Sequence, residues 1–138
     1  MEFITSRPRL PGSFKAMEQE LRANMWRKRF WPYEELNLAD TVYWYETLSK
    51  CIVWKSQVVE LEKFSYDTKQ SAFRKIKDQF GPFNERLIYF ENAPISGYCL
   101  AFRVEILEKL SLPRPEGLKF PHLGWLHIDE RIYREWLK

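Results

Sequence analysis

The sequence predicts an α+β domain built on a small, strongly curved antiparallel β-sheet or barrel that is flanked by helices. Its 138 residues, with 45% hydrophobic and 30% charged, suffice for one core, so we expect a single domain over residues 1–138. Two pairs of β-rich segments are each joined by a short loop, which favours antiparallel pairing. Segments with a helical spacing of apolar residues separate and flank these pairs.

The first predicted element is a short helix that follows an extended connection rich in proline at residues 7–12. Ser13 can cap this helix, and apolar residues then recur at helical spacing: Phe14, Met17 and Leu21. Three cations bracketed by aromatic rings follow within residues 25–33, where Pro32 limits regular structure.

Two strands are predicted next, over residues 41–47 and 51–64, because both segments are dense in β-branched and aromatic residues. The short loop between them would make a hairpin. A second helix is expected over residues 66–80, with Gly81 and Pro82 as its end.

The last third of the chain predicts a second strand pair and a terminal helix. The strands are expected over residues 86–91 and 97–106, with a turn at residues 92–96 between them and irregular chain at residues 112–117. Asp129 is expected to cap the final helix, whose packing face carries Ile132, Trp136 and Leu137.

Composition excludes several classes of function. A net charge of +3, from 22 Lys+Arg against 19 Asp+Glu, permits a polyanionic partner without requiring one. No apolar run is long enough to span a bilayer and the first residues lack a signal-peptide layout, so we expect a cytoplasmic protein without a membrane partner. With 5 glycines in the chain there is no Gly-rich phosphate loop, and we expect no cofactor.

The cysteines and histidines predict neither a disulfide framework nor a metal site. Cys51 and Cys99 lie among apolar neighbours, and we expect reduced core thiols. His122 and His127 are five residues apart without clustered cysteine, which is a poor ligand spacing. His127 precedes Asp129 closely, but no Gly-x-Ser-x-Gly segment accompanies them, so a hydrolytic triad is not expected.

Basic residues interleaved with aromatic ones are the most informative feature. Arg27, Lys28 and Arg29 can neutralise phosphates, while Trp26 and Trp31 beside them can offer rings to an unstacked base. The alternative is that both tryptophans anchor the core and the cations face water.

The strand at residues 42–47 offers a second group of rings. Alternation places Tyr43 and Tyr45 on one face and Val42, Trp44 and Glu46 on the other. Aromatic rings at the end of this strand can line a pocket, and the following turn can supply its hydrogen-bonding groups. A pocket of this kind can hold a flipped base. The candidate binding residues are Trp26, Arg27, Lys28, Arg29, Trp31, Trp44, Tyr45, Glu46, Thr47, Ser49 and Lys50.

The order of these segments resembles the EVE domain of the PUA-like superfamily, which also holds ASCH, YTH and SRA-type domains. The similar stretches are residues 26–31, 39–47, 52–59, 66–67 and 98–104, the last followed by Leu110 and Pro113. The resemblance implies a small β-barrel flanked by helices, with a cleft that binds a modified or flipped base in DNA or RNA. Matched by position, the implied wall is Trp26, Arg29, Tyr45, Glu46, Thr47 and Ser49.

Three functions remain open at this stage. The leading one is a nucleic-acid reader without catalysis, either the reader part of a modification-dependent restriction system or a free-standing protein. The second is an enzyme like the ASCH-type RNA-processing or amide-hydrolysing proteins, in which Lys28, Glu46, Thr47 or Lys50 would act as acid and base. The third is a protein-interaction module anchored by exposed rings.

Overall fold

The computed structural model describes residues 1–85, 87–121 and 124–138, except for the side chain of Ile88. Its strands are β1 (Glu2–Arg7), β2 (Arg22–Trp26), β3 (Thr41–Glu46), β4 (Cys51–Tyr66), β5 (Gly97–Pro113) and β6 (Trp125–His127). Its helices are α1 (Phe14–Gln19), α2 (Lys69–Phe80), α3 (Ile88–Glu91) and α4 (Glu130–Ile132), the last continuing into a π-helical turn at Tyr133–Leu137.

The strands form one curled six-stranded sheet in the order β2–β5–β4–β3–β1–β6. Neighbouring strands are antiparallel except β1 and β3, which run parallel. The two edge strands meet through side chains, since Nε1 of Trp125 on β6 donates to Oδ1 of Asn24 on β2 at 3.1 Å. The predicted fold class, an α+β domain with a small curved sheet and flanking helices, is confirmed.

The two longest strands determine the curvature of the sheet. β4 and β5 pair from Cys51 opposite Pro113 to Tyr66 opposite Gly97, and the register shifts at three places along this ladder. Such bulges bend a strand and increase its twist. The predicted strands at residues 51–64 and 97–106 therefore exist, and each extends further because the other supplies its hydrogen-bonding partners.

Both faces of the sheet are covered. The concave face gathers apolar side chains from all six strands, with Phe3, Trp44 and Phe102 among the enclosed rings. On the opposite face, one group of side chains packs under α2 and α3 and another under the terminal helix. Both faces of β3 are consequently buried, because Val42 and Trp44 face the concave core while Tyr43 and Tyr45 face the terminal helix.

Local signals located two helix starts correctly, those of α1 and α4. Ser13 Oγ accepts from the backbone N–H of Ala16 at 3.2 Å, and Asp129 Oδ1 accepts from that of Ile132 at 2.8 Å. α2 begins later than predicted, after its cap Thr68, because β4 continues to Tyr66. It ends at Gly81, whose φ of 90° favours glycine.

Several expectations about secondary structure were wrong. Three strands lie in segments for which no strand was expected: β1, β2 and β6. The strand predicted over residues 86–91 is helical at Ile88–Glu91, where Phe90 packs against Phe73 of α2, and Arg86 lies outside the described residues. Among the described residues, no helix has the length and apolar character that crossing a bilayer requires.

Both cysteines are free thiols, as expected. Cys99 is buried under α2, and burial raises the pKa of its thiol to about 12. Cys51 is only partly buried.

Candidate functional site

Two arginines converge on the ring of Trp44 inside the concave core. The Arg7 guanidinium carbon lies 5.5 Å from the ring centroid and the Arg22 guanidinium carbon 5.0 Å from it. Arg7 ends β1 and Arg22 begins β2, so their approach depends on the curling that brings the two sides of the sheet together. The other partner of the Trp44 ring is Phe102, stacked at 5.9 Å.

Arg22 is a buried cation with one carboxylate partner. Its residue is 6% exposed, and its two terminal nitrogens contact the two carboxylate oxygens of Glu20 at 2.9 and 3.1 Å. Nη2 also lies 3.3 Å from the sulfur of Met17. Its Nε–H is enclosed and has no hydrogen-bond partner among the described residues. A buried donor without a partner is costly in a folded protein, so this group needs a structural or functional explanation.

Arg7 contacts only neutral oxygen atoms among the described residues. Its Nη1 donates to Thr5 Oγ1 at 3.2 Å and to the backbone carbonyl of Ser6 at 2.8 Å. Burial, with a further contribution from the nearby charge of Arg22, lowers the pKa of Arg7 to about 10. The group stays protonated at neutral pH, so Arg7, Arg22 and Glu20 together carry one net positive charge.

Tyr89 of α3 lies within electrostatic range of Arg7. Its hydroxyl accepts from the backbone N–H of Met25 at 2.8 Å, and the residue is 45% exposed. Burial raises the pKa of Tyr89, whereas the hydrogen bond from Met25 and the positive charge of Arg7 lower it. An exposed ring is therefore held against β2 next to Asn24, whose side chain meets Trp125 of the other edge strand.

We name the set formed by Arg7, Glu20, Arg22, Trp44 and Tyr89 the seam site. Guanidinium groups bind phosphate and carboxylate through paired N–H donors, and shielding from water strengthens that attraction. An exposed ring next to such a group can stack on a base. The seam site therefore combines guanidinium donors with an exposed aromatic ring, the two kinds of group that contact the phosphates and bases of nucleic acids.

The rings predicted as a base platform are mostly enclosed. Trp26 is 8% exposed, Trp44 0% and Tyr45 2%. Trp44 Nε1 donates to the buried hydroxyl of Ser56 at 2.8 Å, so even its polar atom is satisfied inside the protein.

The structure does not bring the predicted residues into one pocket. Trp26 of β2 pairs with Tyr98 of β5, and Tyr98 in turn pairs with Ser65 near the end of β4. Tyr45 of β3 pairs with Ile52 near the start of β4. At about 3.3 Å per residue, Ser65 and Ile52 are separated by ~43 Å of strand. Two members of the implied wall, Trp26 and Tyr45, therefore lie at opposite ends and on different faces of the sheet.

The residues of the β3–β4 turn have structural partners or face solvent. Tyr45 stacks on Phe120 at 5.4 Å and meets Trp136 edge to face at 5.3 Å, so it anchors the terminal helix. Glu46 Oε2 accepts from the backbone N–H of Leu10 at 2.8 Å. The remaining predicted residues of this turn are exposed: Thr47, Ser49 and Lys50.

The basic segment lies on the surface directly after β2. Arg27, Lys28 and Arg29 are exposed, and Arg29 pairs with Glu34 at 2.9 Å. Trp31 is partly buried and lines a cavity of about 630 Å³ with Trp125 and His127. The other histidine considered as a ligand, His122, lies outside the described residues.

Sequence reasoning missed Arg7, Glu20, Arg22 and Tyr89. One signal was present: in β2 the inward positions are Arg22, Asn24 and Trp26, so two polar residues alternate toward the core. A polar residue on the buried face of a strand needs a partner or a function. For Arg7 and Tyr89 no comparable alternation of polar residues toward the core exists.

No protein-family model and no curated protein matches this sequence. Solved structures do match. The ASCH protein from Zymomonas mobilis aligns with a TM-score of 0.60 at 10% identity, over 97% of this chain and 92% of that one. This chain therefore shares the fold of that ASCH protein.

Two single-residue variants of the same Zymomonas mobilis protein match equally well. A serine-to-alanine variant has a TM-score of 0.57 at 12% identity, over 96% of this chain and 92% of that one. A tyrosine-to-phenylalanine variant has 0.59 at 11% identity, over 96% and 94%. These structural neighbours are ASCH domains, which belong to the PUA-like superfamily, and at 10–12% identity they show a shared fold. The EVE-like assignment is not confirmed.

Proposed function

We propose that this protein binds single-stranded nucleic acid, with RNA as the first candidate, and that the seam site receives a phosphate. The observation that carries the proposal is the approach of two cations to the Trp44 ring, the buried Arg22, which is paired with Glu20, and the partly buried Arg7, which pairs with no carboxylate among the described residues. An uncompensated cation in a water-poor place is costly unless an anion accompanies it. The PUA-like fold agrees with a nucleic-acid partner.

A base next to that phosphate would stack on Tyr89. Its ring is exposed within electrostatic range of Arg7, and stacking on an aromatic side chain contributes about 1–3 kcal/mol per base. Stacking of this kind needs an unpaired base, which favours a single strand over a duplex. Recognition of a modified or flipped base remains a prediction, with Tyr89 as its platform because Trp44 and Tyr45 are enclosed. The role in a restriction system also remains a prediction.

The test is binding of short fluorescent oligonucleotides, measured by anisotropy with single-stranded RNA, single-stranded DNA and duplex of one sequence. Arg7→Met should weaken binding of the single strand about tenfold or more, since a charge-assisted hydrogen bond is worth roughly 1.5–3 kcal/mol. Arg134→Met removes an equal charge from an exposed position on the π-helical turn and should change affinity less than about twofold.

Thermal denaturation establishes that both variants are folded. Equal affinity of the wild-type protein and Arg7→Met would refute the assignment of the phosphate to the seam site. Absence of binding to every oligonucleotide by the wild-type protein would refute the function.

A further inference from the structure

Glu20 occupies the position that a ligand anion would take on Arg22. Its two carboxylate oxygens meet the two terminal nitrogens of Arg22, which is the paired geometry that a phosphate also adopts. Glu20 follows α1 directly and precedes β2, and its side chain is 45% exposed. It can therefore swing into solvent, whereas Arg22 is held in the core.

Two features leave positive charge at the site that Glu20 does not contact. The enclosed Nε–H of Arg22 has no partner among the described residues. Arg7 lies against the same Trp44 ring and forms hydrogen bonds only with neutral oxygens in the described part of the chain. An anion with more than one negative charge would be attracted to Arg7 as well as to Arg22.

The charges of the candidate ligands decide which one gains by displacing Glu20. An internal phosphodiester carries one negative charge, so replacing the carboxylate with it leaves the charge of the site unchanged. A terminal phosphate monoester carries about −1.5 to −2 at neutral pH and three acceptor oxygens. Only the monoester neutralises both arginines and gains net attraction from the exchange.

The surroundings of Arg22 also favour a strand end. Trp44, Thr5 and Arg22 itself are nearly or fully enclosed. A phosphate within a continuous strand needs space for chain on both of its sides. A terminal phosphate needs it on one side only.

We propose that the seam site selects the terminal phosphate monoester of a nucleic-acid strand over an internal phosphodiester, and that Glu20 sets this preference. This inference rests on the proposed function. Glu20 acts as an internal competitor that a singly charged phosphate displaces poorly and a doubly charged one displaces well.

The test compares strands of one sequence that end in a 5′-phosphate, a 3′-phosphate or only hydroxyl groups, each labelled at the opposite end. Wild-type protein should bind one phosphorylated strand at least about tenfold more tightly than the hydroxyl strand. Glu20→Gln should reduce that ratio below about threefold, mainly by strengthening binding of the hydroxyl strand. Glu20→Asp keeps the charge and should keep the preference.

Glu135→Gln is the matched control, since it removes an exposed glutamate that pairs with Arg131 at 3.3 Å, and it should leave the ratio unchanged. Equal binding of all three strands by the wild-type protein would overturn the preference for a strand end while leaving nucleic-acid binding intact. An unchanged ratio in Glu20→Gln would overturn the role of Glu20.

Competition then separates the possible sources of a phosphate monoester. Unlabelled phosphorylated strand should displace the probe at far lower concentration than a nucleoside monophosphate or inorganic phosphate. Equal potency of the nucleoside monophosphate would overturn the assignment to strands and point to a nucleotide site. Binding of no strand at all would overturn both this inference and the proposed function.

Discussion

The protein places cations beside aromatic rings in two regions that differ in their exposure to water. In the seam site, Arg7 and Arg22 pack against Trp44 and are held by nearby oxygens and by Glu20. In the loop after β2, the side chains of residues 27–29 extend into solvent. Arg22 and Arg27 are five residues apart, so at about 3.3 Å per residue the regions are separated by ~16 Å along the strand.

This difference in exposure indicates that the two regions contribute differently to binding. A buried cation cannot move or be screened, so it can position one phosphate and distinguish among anions. Exposed cations are screened by salt and mobile, so they attract any polyanion and add affinity without selection. The following predictions test this contrast, from the largest expected effect to the smallest.

The ring that supports the arginine pair should matter most for stability. Trp44→Ala should lower the free energy of unfolding by about 3–5 kcal/mol, because it leaves a cavity and removes the contact with Phe102 and the bond to Ser56. Urea titration measures this value. Phe14→Ala truncates a largely exposed ring and should cost much less. A similar small loss for Trp44→Ala would show that its ring is not a core element.

The exposed loop should determine salt dependence more than selectivity. Arg27→Ala combined with Lys28→Ala should reduce the slope of log affinity against log salt by about 0.7 for each phosphate contact that is lost, and should affect all sequences alike. Anisotropy titrations over a range of salt measure the slope. A slope already near zero in the wild-type protein would instead favour an apolar protein interface.

The smallest effect is expected at Arg29. Its charge is already paired with Glu34, and both side chains are more than half exposed. Arg29→Gln should change affinity less than about twofold and the free energy of unfolding by less than ~1 kcal/mol. Anisotropy titration measures the affinity, and urea titration measures the free energy of unfolding. A tenfold loss of affinity in Arg29→Gln would show that the main phosphate contact lies in the loop after β2 and not in the seam site.

Part of this structure could be predicted because it depends on short stretches of chain. The caps at Ser13 and Asp129 involve a side chain and a backbone N–H three residues away. The strand at residues 51–64 follows from alternation and β-branched residues. The order of the predicted helices and strands along the chain was enough to predict the fold class.

Other parts depend on partners that are remote in sequence. β1 is a strand because β3 and β6 pair with it, and β2 because β5 does. Part of the segment predicted as a strand over residues 86–91 is helical at Ile88–Glu91, where Phe90 packs on Phe73 of α2. Propensity alone cannot detect such contacts, since tertiary packing overrides it.

The sequence by itself determined an α+β domain rich in aromatic rings, with surface cations after β2 and well-capped helices. Only the tertiary structure decided which rings are enclosed and which cations meet. Arg7 and Arg22 lie fifteen positions apart in different strands, and they share one tryptophan because bulges and twist curl the sheet until its edges touch. Curvature of that kind is a property of the whole ladder, so no local pattern records it.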